Sequence, residues 1–93
     1  MIVGLLSLEL YIPGARSLKD KRMVLRGVKD RLRKFNVAVA EIAHHDLWQR
    51  AGLGVVTIST TEAHVDQELA AVVSEVERLE PGMITRTEVQ FLT

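Results

Sequence analysis

Two short segments of this chain gather the residues that could do chemistry. The first reads ARSLKDKR, Ala15 to Arg22, and the second reads HHDLWQRAG, His44 to Gly52. In the first, Ser17 is placed to cap a helix, and Asp20 three residues later completes a capping-box spacing. Lys19, Lys21 and Arg22 then fall in the opening turn, where the helix dipole disfavours cations by about 0.3–1 kcal/mol each. Free backbone N–H groups with mobile cations around them form an anion site suited to phosphate. Arg16 and Arg26 flank this cluster. The alternative is a solvated helix face, because Lys and Arg are good helix formers.

The second segment holds Trp48, the only tryptophan of the chain, inside a polar connection. An exposed indole would stack on a nucleobase, with Arg50 and Arg16 supplying charge and His45 helping to stack or orient the ligand. The opposing expectation is that Trp48 folds back over the end of the core and bonds its N–H to a carbonyl, since large aromatics bury most of their area.

Metal chemistry fits poorly. Read as neighbours on a strand, His44 and His45 point to opposite faces. Glu41 and His45 share a face at about 13 Å. A zinc site needs three or four protein ligands, and no metal is expected. Glu9 and Glu41, placed on the open face of the sheet, are read with Arg86 as a surface ion-pair network. There is no nucleophile elbow, no phosphate-binding glycine loop and no dinucleotide fingerprint, so no cofactor is expected. An enzyme using Asp46 or His45 as a base on a phosphorylated small molecule remains a third reading, and it requires a deep pocket at that end.

The elements that position these segments follow from periodicity. A period of two from Ile2 to Ile12 turns Leu6, Leu8, Leu10 and Ile12 to one face. Leu18, Leu25, Val28, Leu32 and Phe35 recur at helical spacing, with Asn36 as a left-handed stop and Gly27 as a point of close helix contact. Strands are expected over about 37–45, 53–61 and 84–92, and a second helix over 63–79 ending at Pro81 and Gly82. In the third strand Val56 and Ile58 are read as inward, and Val55, Thr57 and Ser59 as outward. Val3, Leu5, Val37 and Val39 are read as an outward apolar set available for a homodimer contact.

The order βαββαβ with right-handed crossovers predicts one ferredoxin-like α+β domain over residues 1–93: a four-stranded antiparallel sheet with two helices on one face. This topology brings the loop after the first strand, the 46–52 connection and the Pro81–Gly82 turn to one end. The open face carries a single aromatic, Tyr11, where RNA-recognition sheets carry two or three. RNA is therefore expected at the loop end and the basic helix, not across the sheet.

The chain has 93 residues, no cysteine and a net charge of zero. No disulfide or thiolate site is possible, and cytosolic residence is expected. The apolar start MIVGLLSLELYI alternates like a strand and lacks a basic leader, and no run approaches a membrane span. The charge is unevenly spread: residues 16–34 hold nine cations against two acids, while 62–80 hold six acids against one cation.

SLKDKR after GLLSLELYIPGA, followed by FNVAVAEIAHHDLWQRAGLGVV, resembles the YlxP-like family of small bacterial proteins of unknown function. The resemblance is strong over about 1–59 and only in pattern beyond. It implies a ferredoxin-like fold and a link to translation, and it supplies no activity, substrate or catalytic residue. The expected partners are structured RNA or the ribosome through Arg16, Ser17, Lys19, Lys21, Arg22, Arg26, His45, Asp46, Trp48, Gln49 and Arg50, or a second copy of the chain.

Overall fold

A computed structural model describes all residues 1–93. The elements are β1 (Ile2–Tyr11), α1 (Leu18–Leu32), β2 (Ala38–Ala43), β3 (Arg50–Ser59), α2 (Glu62–Leu79) and β4 (Ile84–Phe91). The four strands form one sheet in the order β2-β3-β1-β4, with every neighbouring pair antiparallel. This is the ferredoxin-like α+β arrangement.

The core lies between the sheet and the two helices. β1 contributes Leu6, Leu8 and Leu10, and α1 contributes Leu25, Val28 and Leu32. β3 contributes Ala51, Leu53 and Val55, and α2 contributes Val65, Leu69, Val72 and Val76. Gly4 lies on the helix-facing side of β1, and a methyl group there would collide with Val65 of α2. Absence of a side chain is thus what lets α2 pack close against β1.

Two strands are turned over relative to their reading from periodicity. Ala51, Leu53, Val55 and Thr57 of β3 face the helices and are buried, while Ile58 is exposed on the open face. β2 follows its partner: Val39 pairs with Val55 and Glu41 with Leu53, so Val37, Val39 and Glu41 point inward. The apolar residues of the open face are therefore Val3, Leu5, Val56 and Ile58 with Ala38, Ala40 and Ile42. The cause is chemical. β2 carries alanine on the solvent face and β3 carries Gly52 and Gly54 there, so hydrophobicity does not separate their two sides. Glycine is needed at 52, where an added Cβ would stand 2.8 Å from that of Ala43.

The helix ends also differ in detail. Ser17 caps α1 as expected, its Oγ accepting from Asp20 N–H at 3.0 Å. Asp20 Oδ2 accepts from Arg16 N–H at 3.0 Å, one residue before the position that a capping box uses. Arg33, in right-handed conformation, closes α1; Asn36 is not left-handed, since His44 is the only non-glycine residue with positive φ. Asn36 O instead accepts from the Thr57 hydroxyl at 2.7 Å and tethers the loop before β2. Gly27 is exposed with open space around it, so it marks no helix contact.

Candidate nucleic-acid interface

The loop end is tied together around the last residues of β1. Tyr11 N–H donates to Met83 O at 2.8 Å, and Ile12 N–H to Gln49 O at 2.8 Å. The β1–α1 loop, the β2–β3 hairpin and the α2–β4 turn therefore meet at one pole, as the topology predicts.

The strongest link between the two chemistry-bearing segments is Lys21. Its side chain is 1% exposed. Nζ donates to the carbonyls of His44 at 2.8 Å, His45 at 3.3 Å and Arg50 at 3.3 Å. It also lies 2.9 Å from Glu41 Oε2, which has no other polar partner. Lys21 is thus removed from the set of surface cations and becomes a clamp on the hairpin. Its burial follows from helical spacing, since Lys21 precedes Leu25 by four residues and Val28 by seven and shares their face. Glu41 likewise leaves the open face to pair with it.

Gln49 also has a structural task. Its side-chain amide donates to Pro13 O at 3.2 Å and Ala15 O at 3.3 Å. This latches the hairpin to the loop before α1. The linked motifs SLKDKR and HDLWQR are therefore the two halves of one joint.

His44 and His45 do not continue a strand. β2 stops at Ala43, and His44 turns the chain at φ 62°. His44 Nε2–H reaches the Glu9 carboxylate at 3.0 Å. His45 Nε2–H donates back to Glu41 O at 3.2 Å, far nearer than the extended-strand distance. Glu9 also lies 3.9 Å from the Arg50 guanidinium, and Arg86 pairs with Glu88 at 3.5 Å, so the expected Glu9–Glu41–Arg86 network does not form. No group of three metal-ligating side chains comes together anywhere.

Trp48 is 53% exposed and does not cover the core, which overturns the expectation of a buried indole. It borders a shallow groove of about 450 Å³ with Tyr11, Asp46, Leu47, Gln49 and Arg50. Tyr11 is the one residue of this groove's polar and aromatic set that motif reasoning misses. Its position is readable all the same: it ends the open face of β1 directly opposite Arg50. A second cleft of about 400 Å³ runs between the β1–α1 loop, Val24 and the α2–β4 turn, and neither His45 nor Asp46 lines it.

The remaining cations are free. Arg16, Lys19, Arg22 and Arg26 are exposed and enter no ion pair. From Lys19 to Lys29 the spacing 19, 22, 26, 29 sets them along one flank of α1. Arg31 and Lys34 are different, because they are drawn to Glu75 of α2 at 3.4 and 3.1 Å.

A ferredoxin-like domain whose loop pole joins a cation-bearing helix tip to an exposed aromatic hairpin is the class of protein that fold and site define. The chain belongs to the family described as protein of unknown function DUF503, whose model matches residues 3–89. It is 37% identical to the uncharacterized protein YlxP of Bacillus subtilis (strain 168), over 94% of this chain and 98% of that protein. It is also similar in fold to At3g17210 from Arabidopsis thaliana, with a TM-score of 0.55 and 15% identity over 98% of this chain and 93% of that one. No helix is long and apolar enough to cross a membrane.

Proposed function

We propose that the protein is an RNA-binding module, ribosomal or ribosome-associated, that contacts structured RNA through its loop pole. The supporting observation is the half-exposed Trp48, which shares a groove with the half-exposed Tyr11 and Arg50 at the pole where Arg16, Lys19 and Arg22 are exposed and enter no ion pair. Arg16, Lys19, Arg22, Arg26 and Arg50 would neutralise phosphates. Trp48 and Tyr11 would stack on unpaired bases, which supplies affinity without requiring a sequence code. Ser17, Lys21 and Gln49 serve this reading indirectly, by fixing the helix tip and hairpin. Binding of a structured RNA should weaken linearly in log–log form as salt rises. Replacing Arg16, Lys19 and Arg22 by alanine should lower that slope by about one for each phosphate left without its cation. Affinity that is absent, or level across salt concentrations, would remove the proposal.

A second reading rests on the apolar set of the open face, Val3, Leu5, Ala38, Ala40, Ile42, Val56 and Ile58. Of these, Ile42 and Ile58 are about half exposed. Two such faces would pair as a homodimer. Sedimentation should then show a concentration-dependent dimer that Ile58→Glu abolishes; a monomer throughout rejects this reading.

A further inference from the structure

We infer that the groove between Tyr11 and Trp48 is a subsite for a single guanine base, selected by the carboxylate of Asp46. This rests on the RNA reading of the same pole and names the base it takes. The groove is bordered by two exposed aromatic side chains, Tyr11 and Trp48, and a base stacks on such faces. Its polar groups are not equivalent. The Gln49 amide is already committed to the Pro13 and Ala15 carbonyls, so it does not read a base. Arg50 is half exposed, 3.9 Å from Glu9, and offers its charge to the attached phosphate.

Asp46 differs from both. It is exposed, lines the groove, and its carboxylate bonds to no other group of the chain. An ionised carboxylate only accepts hydrogen bonds. Among the four bases, guanine alone presents two adjacent donors on its pairing edge, the N1 imino and the N2 amino groups. Adenine and cytosine place an acceptor beside their amino group, and uracil flanks its one imino donor with two carbonyls. Those acceptors face the carboxylate with like charge. A paired fit to guanine therefore satisfies Asp46, and the other bases leave one of its oxygens opposed.

The single tryptophan makes this testable with the intact chain, because Trp48 emission reports the groove alone. GMP, IMP, AMP, CMP and UMP would be titrated with excitation at the red edge of the indole band. IMP is the decisive control, being guanine without the N2 amine. GMP should quench Trp48 at concentrations about tenfold or more below those needed for IMP, as expected for loss of a hydrogen bond to a charged acceptor. Asp46→Asn, at an exposed turn position, should fold normally and lose that preference. Equal quenching by all five nucleotides, or a guanine preference that survives Asp46→Asn, would overturn the subsite. So would the absence of quenching by any nucleotide. In each of those cases salt-dependent binding of structured RNA would still stand as a separate result, and its loss would take down the broader reading as well.

Discussion

Lys21 shows how far one side chain can depart from what its charge suggests. A cation in the opening turn of a basic helix reads as a surface group, yet this one is enclosed by three carbonyls and a carboxylate. Removing one member of a buried, hydrogen-bonded ion pair leaves the other uncompensated, which costs about 3–5 kcal/mol. Lys21→Met should therefore lower unfolding free energy by roughly that amount in urea titrations. Lys21→Met with Glu41→Leu should recover a part of it, because no orphaned charge remains. A destabilisation below about 1 kcal/mol, the range of exposed pairs, would show that the clamp is solvated. The exposed cations Arg16, Lys19 and Arg22 are legible from type and position alone. Lys21 and Gln49 are legible as members of a motif, but their roles depend on where the hairpin folds back, and only distant segments decide that.

At the scale of elements, order and type can be read directly, while facing cannot. β1 alternates strongly, and its periodicity assigns every residue to the correct side. β2 reads AVAEIA and β3 reads RAGLGVVTIS, with small or apolar residues at both parities. For such strands a slip of one residue changes little in local hydrophobicity and reverses every side chain. The register with β1 settles the matter: Leu6 stands opposite Val55 and Leu8 opposite Leu53. The misplacement of Glu41 has the same cause, since its burial with Lys21 depends on the parity of β2. The pole that carries the Trp48 hairpin is legible, because loop position depends on topology. The exposure of Trp48 is not, because the usual preference of indole for burial yields to a hairpin held by other groups.

For the molecule as a whole, the opposite charges of the two helices are only partly presented to solvent. Glu75 is nearly buried at the interface of α1 and α2, where it meets Lys34, Arg31 and Arg78. The hydrogen bond from Lys34 is the largest influence holding its carboxyl below the ordinary value of 4.5, with Arg31 and the charges of Lys34 and Arg78 acting in the same direction and burial opposing them. A group whose acidity is greater in the folded state adds stability while it is ionised in both states. The contribution of Glu75 is therefore intact above pH 4.5 and is lost as pH falls through the lower folded value. Wild type should exceed Glu75→Gln in urea midpoint at neutral pH, and the gap should close below pH 4.5. A gap that stays constant into acid would assign the effect of the substitution to packing. The division of labour among cations follows: Arg31 and Lys34 bind the two helices together, and the Lys19–Lys29 flank stays exposed.

The ammonium of Lys21 grips main-chain oxygens at 44, 45 and 50 and bonds to no side chain between them. The hairpin tip is consequently an interchangeable cartridge: of residues 45–48 only His45 adds a side-chain bond to its seat, to Glu41 O. A change at Asp46, Leu47 or Trp48 thus alters what the loop presents to solvent without touching the side-chain bonds that seat it.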